Sequence, residues 1–305
     1  MAPYAAPWWL PGGHLQTIWP VLAPPPRPAL ARERWDTPDG DFIDVDWAGP
    51  REARRVLVLF HGLEGGSDSH YARALATAAP AAGWRIAIPH FRGCSGEPNR
   101  TARAYHSGDS EEVDWILRRF SGDVFPIGVS LGGNALLKWL GERGDEAAAI
   151  VRRAAAVSAP LDLAAAGHAL DRGLNRLLYT RHFLTTLKPK SIAKLEVFPG
   201  IYDGARVRRA RTFREFDDLV TAPLHGFRDA DHYWTASSSG SFLESIRVPT
   251  LVLNARNDPF LPAQDLVAAA RKAAPCVLLE FPRTGGHAGF RHRWLAQRLF
   301  RFLEQ

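Results

Sequence analysis

Sulfur is scarce in this chain: one methionine and two cysteines among 305 residues. Cys94 and Cys276 supply neither a disulfide framework nor a metal-binding spacing, so they read as buried or free thiols in a reducing compartment. Nowhere do about 18 apolar residues run together, which argues against a membrane-spanning helix. Met1 to Leu10 lacks the cationic flank and apolar core of a signal peptide. The expectation is a cytoplasmic protein without stable membrane insertion. Lysine is scarce too, since only five of the 38 basic residues are lysines and the arginines are scattered. With no basic helix and no aromatic-basic motif, the net charge of +6 reflects composition rather than a nucleic-acid footprint. A phosphate-loop lysine and a G-x-G-x-x-G string are also missing, so no nucleotide, cofactor or metal is expected.

What is present is enough to build a large core. At 46% hydrophobic the chain supports one enlarged α/β domain. Residues 1–30 are proline-rich and read as an irregular arm, with Trp8, Trp9 and Trp19 packing onto the domain and shallow membrane contact as the alternative. Glu33 to Trp35 and Phe42 to Trp47 then form an antiparallel hairpin around the turn signal Thr37-Pro38-Asp39-Gly40-Asp41. From Arg55 onward, continuous apolar strands alternate with helices: 55–60, 85–91, 123–129, 151–157, 250–254 and 277–281. Such runs imply a mostly parallel sheet covered on both faces. Between Pro160 and about Ser245 the alternation stops, and helical stretches at 161–178 and 183–195 predict a helical cap inserted into the core (31–159 and 246–305). Pro126 falls inside a central strand, where it predicts a bulge or a shifted strand start.

Gly128-Val129-Ser130-Leu131-Gly132 reads as a nucleophile elbow, with a strand running in, a sharp turn at Ser130 and a helix running out. A serine hydroxyl needs a base to take its proton, and the base needs a carboxylate to fix its tautomer. Asp258 follows the strand 250–254 directly. His287 follows the strand 277–281 in a flexible, glycine-flanked loop. Ser130, Asp258 and His287 therefore lie in the order, and at the strand ends, that an elbow-bearing parallel sheet uses for this chemistry. The backbone N–H groups of Leu63, after His61-Gly62, and of Leu131, at the start of the elbow helix, can hold an oxyanion. Other clusters compete less well. Asp229, Asp231 and His232, near His225, lack metal-ligand spacing; Cys94 is a weaker nucleophile candidate; His106 precedes the serine and fits the chain order poorly as a base.

The strings Gly13-His14-Leu15-Gln16-Thr17, His61-Gly62-Leu63-Glu64-Gly65, Arg92-Gly93-Cys94-Ser95-Gly96-Glu97-Pro98-Asn99, Tyr105-His106-Ser107-Gly108, Ser130-Leu131-Gly132-Gly133-Asn134, Arg214-Glu215-Phe216-Asp217-Asp218, Asn257-Asp258-Pro259-Phe260 and Gly285-Gly286-His287 together resemble the YheT-like α/β-hydrolases. These are bacterial proteins related to eukaryotic lipid-cleaving α/β-hydrolase-domain proteins. The resemblance spans nearly the whole chain. It implies the α/β-hydrolase fold, hydrolysis of carboxylic esters, and Ser130, Asp258 and His287 as the triad. Gly66 departs from the serine usual at that place. The membrane anchor of the eukaryotic relatives is not read here, so their membrane-lipid substrates are not carried over. The expectation is a cofactor-independent serine carboxylesterase acting on a small-molecule ester of short to medium acyl chain, its oligomeric state left open. An acyltransferase using the same acyl-enzyme and a non-catalytic ligand-binding protein are the alternatives.

Overall fold

The run Arg55-Val-Leu-Val-Leu-Phe60 shows why this chain folds as it does. Val56, Val58 and Phe60 enter one buried cluster, with Val113, Ile116 and Leu136, while Leu57 and Leu59 enter another, with Leu75, Ile127 and Leu299. A strand alternates its side chains between faces, so a strand apolar at every position must be covered twice. The computed structural model describes residues 3–305.

Eight strands form one sheet: β1 (Ala31–Asp36), β2 (Phe42–Ala48), β3 (Arg55–Phe60), β4 (Arg85–Pro89), β5 (Asp123–Val129), β6 (Ala154–Val157), β7 (Thr250–Leu253) and β8 (Val277–Glu280), in the order β1-β2-β4-β3-β5-β6-β7-β8. β1 and β2 pair antiparallel, as do β2 and β4; the remaining pairings are parallel. Chain order places helices α1 (Gly12–Leu22), α2 (His70–Ala81), α3 (Ser110–Leu117), α4 (Leu131–Arg143) and α5 (Asp145–Ile150) before β6. Between β6 and β7 the chain is helical: α6 (Leu163–Leu170), α7 (Gly173–Asn175), a π-helical turn (Arg176–Thr180), α8 (Arg181–Val197), α9 (Gly204–Arg209), α10 (Phe213–Phe216), a second π turn (Asp217–Thr221), α11 (Ala222–Leu224), α12 (Ala230–Ser237) and a 3-10 stretch (Ser239–Ser245). α13 (Ala263–Ala270) and α14 (His292–Leu303) follow β7 and β8.

Four expectations are corrected here. The arm is not wholly irregular, because α1 forms from residue 12 with Pro20 inside it, while 24–30 remain extended around Pro24-Pro25-Pro26. Its tryptophans are not packed away: Trp8 is 91% exposed, Trp9 47% and Trp19 45%. Pro126 causes neither a bulge nor a shift, since β5 pairs with β3 without interruption from Arg55↔Asp123 to Phe60↔Gly128. The Arg152 N–H donates to the Val124 carbonyl, so residues 124, 126 and 128 turn their peptide groups toward β6. The β5–β6 ladder opens only at Ile127↔Ala155. The donor that Pro126 lacks therefore falls before the start of that ladder. In the helical segment, the stretch expected as one helix at 161–178 breaks after Leu170, where Asp171 turns its carboxylate to the N–H groups of Phe213 and Arg214 at 2.7 and 3.0 Å.

Candidate active site

Ser130 sits between β5 and α4 with φ 54° and ψ −117°. That conformation is strained for a residue with a Cβ and turns the hydroxyl outward from the sheet edge. The turn is tight enough that a Cβ on Gly128 would lie 2.4 Å from the Gly132 carbonyl oxygen, and one on Gly132 would lie 2.5 Å from that of Phe60. Small residues on both sides of the serine are thus a steric requirement.

Asp258 and His287 reach this serine from the ends of β7 and β8. The His287 Nδ1–H donates to Asp258 Oδ2 at 2.8 Å, and its Nε2 accepts from the Ser130 hydroxyl at 2.8 Å. The ionised carboxylate can only accept, which assigns the proton to Nδ1 and leaves the Nε2 lone pair for the serine. The Asp258 side chain is fully buried and that of His287 nearly so, while the other Asp258 oxygen accepts the Phe260 N–H at 2.8 Å. Phe260 stacks on the imidazole with ring centroids 4.0 Å apart, and Tyr179 packs edge-on to Phe260 at 4.6 Å.

The glycine-flanked His287 loop is anchored along its backbone. Four successive backbone N–H groups each donate to a side-chain oxygen: Gly285 to Gln16 at 2.8 Å, Gly286 to Asn257 at 3.0 Å, His287 to Thr17 at 2.9 Å and Ala288 to Ser158 at 2.9 Å. Two of those acceptors stand on α1. Sequence reasoning missed this role; the one available signal was that Gln16 and Thr17 stand in a string that carries the resemblance.

Leu131 follows the serine directly at the start of α4, and Leu63 follows Gly62 in the loop after β3. A Cβ on Gly62 would lie 3.3 Å from the Ser130 Cβ, which brings the loop after β3 over the nucleophile. The N–H of Gly62 donates to the Tyr71 hydroxyl at 2.8 Å and that of Glu64 to the Tyr105 hydroxyl at 2.9 Å. Among the described residues, the N–H groups of Leu63 and Leu131 have no protein acceptor. Glu64 adopts φ 55°, accepts the Tyr105 hydroxyl at 2.9 Å and pairs with Lys190 of α8 at 2.9 Å. His61, fully buried, donates from Nδ1 to the Gly62 carbonyl at 2.7 Å and accepts the Phe91 N–H at 3.0 Å. Burial holds its pKa down at about 3, so the ring is neutral and shapes the loop without carrying charge.

The competing candidates are spent elsewhere. Burial pushes the Cys94 thiol up to about 12, so it is not a thiolate at neutral pH. His106 accepts the Gly108 N–H at 3.2 Å and lies against His225 with ring centroids 4.4 Å apart, while the ring bonded to Ser130 is that of His287. Asp229 caps α12 through the His232 N–H, Asp231 pairs with Arg214, and His232 accepts the Arg228 N–H.

A sheet of this order, carrying a strained serine between a strand and a helix and an Asp–His pair at the ends of the last two strands, defines the α/β-hydrolase class. Residues 55–291 match the family described as alpha/beta hydrolase fold. The chain is 39% identical to the Escherichia coli (strain K12) protein named "Putative esterase YheT", over 91% of this chain and 84% of that one. It is 31% identical to "Phospholipase ABHD3" of Mus musculus, over 89% of this chain and 69% of that one. A solved esterase from Exiguobacterium antarcticum superposes with TM-score 0.60 at 15% identity, covering 90% of this chain and all of that one, a likeness of fold. The chain belongs to the α/β-hydrolase family and is a YheT-like member of it, a hydrolase of the esterase and lipase type. Among the described residues no helix is long and apolar enough to cross a membrane.

Proposed function

We propose that this protein is a serine carboxylesterase working through Ser130, His287 and Asp258. The Ser130 Oγ attacks the ester carbonyl while His287 Nε2 takes its proton, and Asp258 holds the resulting imidazolium. The N–H groups of Leu63 and Leu131 receive the oxyanion. His287 then returns the proton to the departing alcohol, and water, activated by the same imidazole, releases the acid and restores Ser130. The observation that carries this reading is the unbroken chain of two 2.8 Å hydrogen bonds from Ser130 through His287 to the buried Asp258. The names borne by the relatives, an esterase and a phospholipase, agree with ester substrates.

On this reading residues 31–159 and 246–305 are the catalytic core, 160–245 the cap and 1–30 an arm that braces the histidine loop. Phe260 and Tyr179 bring aromatic rings up to His287, and the substrates proposed are esters of short to medium acyl chain. Two free thiols suit the reducing cytoplasm. A panel of p-nitrophenyl esters tests the assignment. Wild-type protein is expected to turn them over with a preference below long chains, and Ser130→Ala to lose about three or more orders of magnitude in kcat/KM. Equal turnover by the two proteins would sink it.

A further inference from the structure

Large exposed apolar side chains are not scattered on this molecule. Of the twelve found among the described residues, nine fall in two short stretches: Trp8, Trp9, Leu15, Trp19, Val21 and Leu22, then Leu174, Leu177 and Leu178. Leu15, Trp19 and Leu22 are spaced to lie along one ridge of α1, opposite the buried Gln16, Thr17 and Pro20. Trp9 packs edge-on to Trp19 at 5.1 Å, so the ridge is a preformed aromatic surface. The two stretches are neighbours: His14 of α1 bonds the Tyr179 hydroxyl at 3.0 Å and stacks on its ring, and Tyr179 belongs to the same π turn as Leu177 and Leu178.

Charge accompanies the apolar ridge. From Arg176 and Leu177 a groove of about 1500 Å³ runs along α8. Its lining includes five arginines and one lysine, among them Arg172, Arg176 and Arg181, against two carboxylates, Asp171 and Glu196. Asp171 is already spent on the backbone of Phe213 and Arg214. Among the described residues none of Arg172, Arg176 and Arg181 forms an ion pair. Exposed tryptophans and leucines beside unpaired arginines match the interface of a bilayer whose headgroups are negative: the rings and leucines enter the headgroup boundary, and the guanidinium groups meet phosphates.

We propose that this face docks the protein peripherally on anionic lipid membranes, with α1 and the 174–178 segment against the bilayer. Tyr179 packs edge-on to Phe260, which stacks on His287, so a run of ring contacts leads from that face to the histidine. The inference does not depend on the ester chemistry of Ser130.

Vesicle flotation tests it. With phosphatidylcholine and phosphatidylglycerol mixed about three to one, the full chain is expected to float with the vesicles and to release on raising the salt. Binding to pure phosphatidylcholine is expected to be at least about tenfold weaker. The pair Trp8→Ser and Trp19→Ser, and separately the pair Arg172→Glu and Arg176→Glu, should each weaken binding about tenfold. Turnover of a soluble p-nitrophenyl ester should be unchanged in both, which also certifies folding. Absence of flotation, flotation indifferent to lipid charge, or variants that float like wild type would overturn the proposal. So would a wild-type dimer dissolved by the tryptophan pair, because the face would then belong to a second copy of the chain. Loss of ester turnover in wild type would count against the esterase reading and leave the docking result intact.

Discussion

Ser130 is held in a backbone conformation that costs on the order of 1–3 kcal/mol, and its neighbours sustain that cost. Ser158, at the end of β6, repeats the pattern with φ 50° and uses its hydroxyl to accept the Ala288 N–H. The base is fixed by the same economy: single oxygens from Gln16, Asn257, Thr17 and Ser158 take four adjacent N–H groups, and the imidazole has one orientation left to it. Thr17 is the decisive member because it holds the N–H of His287 itself. Thr17→Val keeps the shape and removes the acceptor. We expect kcat to fall about tenfold with KM within a factor of two, and Thr17→Ser to restore it. A change confined to KM would show that Thr17 acts on substrate binding instead.

At the scale of elements, Asn134 does for the helical segment what Thr17 does for the histidine. It is fully buried on α4, donates to the Ser107 and Ser237 carbonyls at 2.8 and 2.7 Å, and accepts the Ser239 N–H at 2.9 Å. The elbow helix, the loop before α3 and the end of α12 are joined through one amide. Asn134→Ala leaves those partners buried and unpaired, so it should lower stability by about 2–4 kcal/mol, read as a shift in the urea midpoint. A variant as stable as wild type would mean the three elements hold without it. Two lysines one turn apart on α8 add a second tie: Lys190 to Glu64, and Lys194 to Asn99 and the Thr101 carbonyl, both at 2.8 Å. The strands 55–60 and 123–129 and the helix 131–143 were legible residue for residue, because their apolar runs are long and bounded by turn signals. α1 was not, since its prolines advertised irregularity and its helix is held by Gln16 and Thr17 reaching partners some 270 positions away. The strings that carried the resemblance proved informative about scaffolding as well as chemistry. Arg92 is buried among Asp39, Asp41 and Glu112, and Asn99 bonds Asp41, so that motif clamps the hairpin turn to α3.

For the molecule as a whole, burial of histidines sets the response to acid. His61, His70 and His225 are held down at about 3 and His106 at about 4, in each case first by burial of the ring. The unfolded chain protonates each as pH falls through its ordinary 6.5, while the folded chain does not, so acid favours unfolding. Glu112 and Asp217, raised to about 7 by burial, work in the opposite sense over the same window. Four groups against two leave stability falling on acidification from 6.5 to 5, at most about 3 kcal/mol per pH unit. Urea midpoints across that range check the sign; a midpoint that rose as the pH fell would contradict it. The mostly parallel sheet with its antiparallel hairpin could be anticipated from the alternation of strand and helix, whereas the strand order could not, and three side chains far apart in sequence meet at one edge. What no local pattern announced was the packing of the helical segment, whose short α, π and 3-10 pieces are set by contacts such as Trp234 to Asp217 at 2.8 Å rather than by periodicity.

Intact-protein mass spectrometry after treatment with a fluorophosphonate, followed by peptide mapping, tests the central claim most directly. One adduct is expected, on Ser130, forming in step with the loss of ester turnover and abolished in Ser130→Ala. An adduct on another residue such as Cys94, or turnover that persists once Ser130 is fully modified, would contradict it.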